Sequence, residues 1–553
     1  MDRLRGKIQL SLLLAITLFF SIRVNAGVAD SLLSQRGELH IRFTVPEDYS
    51  LHRLTQMMSI ARLSHDTVDA FLNPSQWEQF RQLRIPYALV LPPKKLKSRN
   101  FFAGAYPSEG EYVQRMLQFC SMHPELCYIY NIGQSVKGRP LLFARINTDT
   151  LAFKPSVMLT SSMHGNETGG MVLMLRLIDY LLSQRQTNTL VKFLTDSLDI
   201  WINPLANPDG FYYDATDIYQ STRFNANGVD LNRNFPDPVM GAHPDGMAYQ
   251  PETRAMMQLL KRYHFVMSAN FHSGEEVVNY PWDSRATLHP DDAWFKVLAK
   301  TYADSAIRYG ANGYFQTYIG GSSMAGITNG YAWYPVFGGR QDFVTYFLKG
   351  REATIEIDKN FIMPENELDQ LWQSNYRSLL AWLAFALQGV RGFVTDKYTG
   401  KPIAATISLY NNDDATATVV ADSLSGVFYR LLLPGTYAFK IFAAGYDTCI
   451  VDSIEVFSGK YTYLHISLTP ENGIKNTITH MEVYPNPVRD WLHLDEKNDE
   501  KKNYILINAE GKVLKQGLWP RTGLNVSYLL PGIYYLRLEP DTQEYQYKFL
   551  KLP

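Results

Sequence analysis

The chain has 553 residues, too many for one ordinary domain, so three or four domains are expected. With 46% hydrophobic and 19% charged residues, the composition is that of a globular protein and excludes a disordered one. A net charge of −1, with no sustained basic stripe, gives no reason to expect nucleic-acid binding.

The first residues, MDRLRGK followed by IQLSLLLAITLFFSI and VNA, combine a basic n-region, a short apolar core and a small-residue cleavage site. Residues 1–26 therefore read as a secretory signal cut after Ala26. The apolar run is short for a membrane span and no later stretch qualifies, so no transmembrane segment is expected in the mature chain. Residues 27–99 combine the alternating HIRFTV with the helical SLHRLTQMMSIARL and end in the basic PPKKLKSR, which predicts a small α/β unit. An exposed basic linker invites proteolysis, so this unit is expected to be removable; a permanent N-terminal domain is the alternative. Export permits a disulfide, and Cys120 and Cys127 flank a helix-to-strand connection in QFCSMHPELCYIY that could pair them. Cys449 is left over and reads as a small buried apolar residue of a β-domain.

The run SVMLTSS (156–162) is an apolar, β-branched strand that delivers MHGNET, after which TGGMVLMLRLIDYLL (168–182) has the spacing of an amphipathic helix. His164 and Glu167 thus fall in a strand-to-helix loop. A second strand, HFVMSANF (264–271), ends on His272. Both segments place their polar residues at carboxyl ends of strands, where open α/β sheets bind ligands. Two imidazoles and one carboxylate suit a catalytic zinc whose fourth position stays open for water. Taken alone, His164 and Glu167 also fit a solvated helix face, and Asn166-Glu167-Thr168 matches a glycosylation sequon.

Four further segments decide between these readings. MHGNE, GVDLNRNFPD (228–237), NFHSG to NYPWD (271–283), GITNGYAWYPVFGGRQDF (326–343) and ATIEID (353–358) have the order and approximate spacing of the zinc metallocarboxypeptidases. From Tyr106 to Gln388 the chain resembles the regulatory N/E branch of that family. The resemblance implies a mixed-sheet α/β zinc carboxypeptidase domain over 106–388 and one Zn2+ per chain, held by His164, Glu167 and His272. It implies that Glu356 is the general base and that Arg223 binds the oxyanion. Asn232 and Arg233 would grip the substrate's terminal carboxylate, and Tyr334 would close over it. Asp283 and Gln341 match the positions that hold a basic C-terminal side chain.

Chemistry asks for the same residue types. A carboxylate near a metal-activated water takes its proton and passes it to the leaving amine. A guanidinium stabilises an oxyanion without surrendering a proton, and an arginine fork binds a carboxylate in two places. A buried Asp283 would favour C-terminal Lys or Arg and repel acidic side chains. Ser273 replaces a glycine common in the branch, and Arg340 stands where Met is usual beside the glutamine. A cation at 340 would repel a basic substrate if it entered the pocket; the alternation of its neighbours allows it to point away. Two other functions remain open: a same-fold hydrolase of another amide, such as a side-chain-linked glutamate or an acylated amino acid, and a non-catalytic surface-binding protein. Asp283 speaks against the first, and the complete set of ligands, base and oxyanion arginine speaks against the second.

After LWQSNYRSLLAWLAFAL the pattern changes to short strands and Gly-Pro turns, which predict a β-sandwich over 389–468. It resembles the transthyretin-like domain of the N/E branch in GFVTD, GKPI and LLLPGTY, and reads as a folding and docking module. Residues 474–553 predict a second small all-β sandwich. The paired YPNP and terminal KFLKL resemble the C-terminal sorting domain of the type IX secretion system; a carbohydrate-binding module is the alternative. The partners implied are peptide or protein C-termini and the type IX secretion machinery. The location implied is the surface or medium of a Bacteroidetes-type bacterium, reached through periplasm and outer membrane.

Overall fold

The computed structural model describes residues 26–92, 106–150, 153–411, 414–471, 483–494, 503–508, 513–520, 522–539 and 545–552. The signal sequence, all but its last residue, and the basic linker 93–99 lie outside them. Strands β1 (Leu39–Thr44), β2 (Ser59–Ser64), β3 (Thr67–Leu72) and β4 (Ala88–Leu89) form an antiparallel sheet in the order β2-β3-β1-β4. The helix expected over SLHRLTQMMSIARL stops at Met57, and the second half of that stretch is β2. Pairing with β3 overrides the helical spacing there, and it leaves β2 at an edge with carbonyls free to bond elsewhere.

Eight strands form the main sheet: β5 (Cys127–Gln134), β6 (Pro140–Ile146), β7 (Ser156–Ser161), β8 (Asp199–Asn203), β9 (Met267–His272), β10 (Glu275–Tyr280), β11 (Ile327–Asn329) and β12 (Arg351–Asp358). Their order is β11-β10-β12-β9-β7-β8-β6-β5. β8, β7, β9 and β12 run parallel, whereas β10 lies antiparallel to β12, and β6 to both β5 and β8. The sheet is mixed, as expected. Its central strands are covered on both faces, which accounts for their near-continuous burial. Val157, Leu159, Ile200 and Ile202 meet the helices Gly169–Ser183, Asp292–Tyr309 and Leu368–Phe385. Met158 and Trp201 point the other way, toward the helix Pro251–Tyr263.

Two all-β regions follow. In the first, Val427–Leu431, Gly389–Asp396 and Tyr461–Leu468 form one sheet, and Val419–Val420, Thr406–Leu409, Gly435–Phe442 and Cys449–Val456 the other. Buried aliphatic and Phe side chains fill the space between them. In the second region, a separate compact unit, Val483–Tyr484, Trp491–Leu494 and Leu524–Asn525 form a small sheet. Val513–Leu518, Asn503–Asn508, Gly532–Glu539 and Tyr545–Lys551 form its other sheet. Among the described residues, no helix is long and apolar enough to cross a membrane. Cys120, Cys127 and Cys449 are free thiols, so the suggested Cys120–Cys127 bridge is not formed, and Cys449 is half-buried rather than buried. Cys127 heads β5 and packs in the core, where burial pushes its thiol up to about 12.

One buried ion cluster joins the first sandwich to the main sheet. Asp291 accepts from Arg351 Nη2 at 2.5 Å and from Arg430 Nη2 at 2.6 Å. Arg351 opens β12 and Arg430 belongs to the sandwich strand Val427–Leu431; both are buried. Asp291→Ala strands two buried guanidiniums, and removing one partner of a buried ion pair typically costs about 3–5 kcal/mol. Denaturant unfolding is expected to show a loss in that range; a loss below about 1 kcal/mol would mean that water compensates both cations.

Candidate active site

Because β7 and β9 are parallel neighbours, their carboxyl ends lie side by side. His164 and Glu167 follow β7, and His272 is the last residue of β9. Gly165 makes the intervening loop possible: a Cβ there would lie 2.2 Å from the backbone of Gly210. Glu167 Oε1 is 2.7 Å from His164 Nδ1, Glu167 Oε2 is 2.8 Å from His272 Nδ1, and the two Nδ1 atoms are 3.1 Å apart. All three side chains are buried. Burial pushes the His272 imidazole down to about 4, so it stays neutral and keeps a lone pair to offer.

Asp230, which the sequence analysis did not single out, completes this cluster. Its Oδ1 lies 2.9 Å from His164 Nε2. Burial alone would raise Asp230, but the charge of Arg223, the largest opposing influence, holds it well below the usual carboxylate range. A carboxylate can only accept, so Nε2 carries the proton and Nδ1 of His164 is left as a donor atom toward Glu167 and His272. The clue in the sequence was its place in GVDLNR: a histidine that binds metal through one nitrogen needs an acceptor for the other.

Glu356 stands opposite His272 in the parallel register of β12 and β9. Its Oε2 has no hydrogen-bond partner among the described residues, and burial, followed by the nearby charge of Glu167, raises its proton affinity well above that of a free carboxylate. Arg223 Nη1 is 3.1 Å from Glu167 Oε1, and its Nη2 is 3.2 Å from Asp230 Oδ2. Arg233 donates through Nη1 to Asn232 O at 2.9 Å, while Asn232 Oδ1 accepts from the backbone of Arg340.

At the other end of the cleft, Asp283 Oδ1 accepts from Asn279 Nδ2 at 3.0 Å and from Gln341 Nε2 at 2.9 Å. Asn279 Oδ1 and Gln341 Oε1 are buried and find no donor among the described residues. Gly330 lets the chain pack directly against this cluster, since a Cβ there would sit 1.8 Å from Asp283 Oδ1. Asn279, too, was missed in the sequence; it points toward Asp283 because the two lie four residues apart across the turn after β10. Arg340 points neither into this pocket nor to solvent. It lies fully buried within the core, with Nε 2.8 Å from Glu352 Oε1 and Nη1 2.5 Å from Thr160 Oγ1. Ser273 is also buried.

The N-terminal sheet lies over the cleft. Ser59 Oγ accepts from Arg223 Nε at 2.7 Å and donates to Asp230 Oδ2. Ile60 O accepts from Arg233 Nη2 at 3.0 Å, and Leu63 O from Trp333 Nε1 at 3.1 Å. Tyr334 is buried in the cluster that includes Ile60, Val68 and Trp77. Glu38, pushed up to about 7 by burial, accepts from the backbone N–H of Arg223 at 2.8 Å.

The zinc carboxypeptidase family model matches residues 112–378, and the secretion system C-terminal sorting domain matches residues 482–551. Carboxypeptidase E of Caenorhabditis elegans is 34% identical over 388 residues, 62% of this chain and 82% of that protein. The human carboxypeptidase N catalytic chain is 35% identical over 363 residues, 59% of this chain and 77% of that one. Mouse carboxypeptidase D is 35% identical over 376 residues, which are 66% of this chain but 27% of that longer protein. Among solved structures, carboxypeptidase A from Helicoverpa armigera has a TM-score of 0.48 at 17% identity, covering 63% of this chain and 97% of that chain.

The donor set fits a zinc ion: two neutral imidazole nitrogens and a carboxylate, converging and buried. Losing the acceptor behind a ligating histidine typically lowers metal affinity by about 10–100-fold. Asp230→Ala is therefore expected to weaken zinc binding by that factor in a chelator competition, and His272→Ala to bind little zinc. Wild-type affinity in Asp230→Ala would show that Asp230 does not orient His164.

Proposed function

The chain belongs to the zinc carboxypeptidase family, and we propose that it is an exported enzyme that releases C-terminal Lys or Arg from peptides and proteins. In this reading His164, Glu167 and His272 hold the zinc, which when bound acidifies a water and polarises the scissile carbonyl. Glu356 takes the water's proton and returns it to the leaving amine, a role that its unpartnered Oε2 beside the proposed metal ligands supports. Arg223 faces the developing oxyanion, and Arg233 with Asn232 binds the terminal carboxylate. Tyr334 closes over the bound terminus.

The observation that carries the specificity is the Asp283 pocket. Three acceptors, the carboxylate and the two orphaned amide oxygens of Asn279 and Gln341, are gathered in one buried cluster against Gly330. A guanidinium or ammonium supplies what all three lack. Burial, then the neighbouring Asp342, pushes the Asp283 carboxyl well up when nothing is bound, and an incoming cation restores its charge. With Arg340 turned into the core, its cation does not compete for that place. An acidic or acyl substrate would find only acceptors.

The N-terminal unit, residues 27–99, acts in this reading as a pro-segment. With Ile60 O on Arg233 and Ser59 on Arg223, a substrate has neither its carboxylate site nor its oxyanion site while the unit stays docked. The C-terminal sorting domain implies the type IX secretion machinery as a partner and a secreted or cell-surface location. We propose that residues 474–553 serve as its address and are removed on passage.

Glu356→Gln is expected to keep zinc and lose about 10²–10⁴-fold in kcat on peptides ending in Lys or Arg. A variant within about tenfold of wild type would contradict the assigned base. Asp283→Ala should lose most kcat/KM for Lys- and Arg-ended peptides and little for Phe- or Leu-ended ones. An unchanged Lys-to-Phe ratio would remove Asp283 from the specificity pocket. The intact chain is expected to be nearly inert, with activity rising at least tenfold once it is cut within 93–99 and the N-terminal unit has separated; full activity before cutting would refute the pro-segment.

A further inference from the structure

The C-terminal residue of a substrate lies toward Arg233 and Asp283, so the residue before it must lie on the far side of Arg223 and Glu356. Three segments that carry catalytic groups supply the wall there. Phe224 follows Arg223, Gly274 follows His272 by two residues, and Phe361 follows Glu356 by five. Gly274 has φ +135°, and a Cβ there would come within 2.8 Å of Phe361 Cε1, so only glycine leaves the floor of this recess clear.

In the structure an aromatic ring already fills the recess. Phe71 of β3 is buried with Phe224 and Ala61, with Phe361 packed against them. Its ring stands edge-on to Phe361 at 5.4 Å, and the Arg223 guanidinium lies 5.7 Å from its centroid. Phe71 is presented by the same sheet whose edge carbonyl occupies Arg233. Backbone and side chain together thus take the places of a peptide's terminus and of the residue upstream. Beyond Phe71 the seam widens into a cavity of about 430 Å³ that reaches from Asn166, between two of the proposed metal ligands, out past Tyr219 and Lys359.

Building on the carboxypeptidase reading, we infer that Phe361, Phe224 and Gly274 form a subsite for an aromatic residue immediately before the released Lys or Arg, with Phe361 as its specificity-determining side chain. When the N-terminal unit leaves, Phe361 and Phe224 lose their cover, and a substrate ring restores it. Aromatic pairs add to the gain from burying the ring itself, whereas an alanine fills little of the space and an aspartate has no ring to pack against Phe361.

The test uses the enzyme as secreted, with its N-terminal unit removed, and three acylated dipeptides: acyl-Phe-Arg, acyl-Ala-Arg and acyl-Asp-Arg. The expected result is a kcat/KM for acyl-Phe-Arg about tenfold or more above the other two. Phe361→Ala should bring the Phe-to-Ala ratio to near one, and Phe361→Tyr should keep it. Comparable hydrolysis of all three peptides by wild type overturns the aromatic subsite and leaves the carboxypeptidase reading standing. A Phe-to-Ala ratio unchanged in Phe361→Ala removes Phe361 from the subsite. Hydrolysis of none overturns both readings together.

Discussion

Arg223 is the charge on which the cleft depends. Glu167, Asp230 and Glu356 are all buried around it, and like charges at such distances cannot all stay ionised without compensation. Its guanidinium reaches Glu167 and Asp230 directly. The result is a graded set of carboxylates: Asp230 is held ionised to orient His164, whereas Glu356, without a partner for Oε2, is left with a strong affinity for protons. Separated proton affinities among neighbouring acids are what an acid–base reaction near neutral pH requires. In the proposed mechanism the same guanidinium would also meet the oxyanion, so one residue would set the electrostatics of both the resting cleft and the transition state.

Much of this was legible in the sequence because the proposed metal ligands follow or end strands, where the pattern places them well. The β7 and β9 runs could be read from their largely apolar flanks, although both strands also bury small polar residues. Much of what escaped depends on partners that no motif marks. Asp230 matters through His164, 66 residues away. β2 looked helical because Met57, Met58 and Ile60 suit either period, and only pairing with β3 decides. Arg340 looked threatening beside Gln341, and its partner Glu352 lies on a strand whose register no local pattern reveals.

The first sandwich bears on the cleft through β12. Asp291 ties Arg430 of the sandwich to Arg351, and Arg351 is five residues from Glu356 on the same strand. Two buried guanidiniums that share one carboxylate hold only in a fixed arrangement, since any shift exposes an uncompensated charge. The β-domain thus fixes the far end of the strand whose near end carries the proposed base.

An edge strand makes an apt cover for a site built to bind a peptide's end. Its outward carbonyls present the same backbone groups as a substrate, and Ile60 and Leu63 use them on Arg233 and Trp333. The mimicry is incomplete in a useful way. A carbonyl is a neutral acceptor for one N–H, whereas a carboxylate adds full charge and can take two parallel bonds from a guanidinium. The cover therefore holds Arg233 by the weaker kind of bond and owes its hold to the buried surface around Tyr334 and Phe71. Nor does it offer a cation to Asp283, whose pocket keeps its orphaned acceptors. Under the proposed activation, a C-terminal Lys or Arg would meet both Arg233 and Asp283, which the docked unit does not.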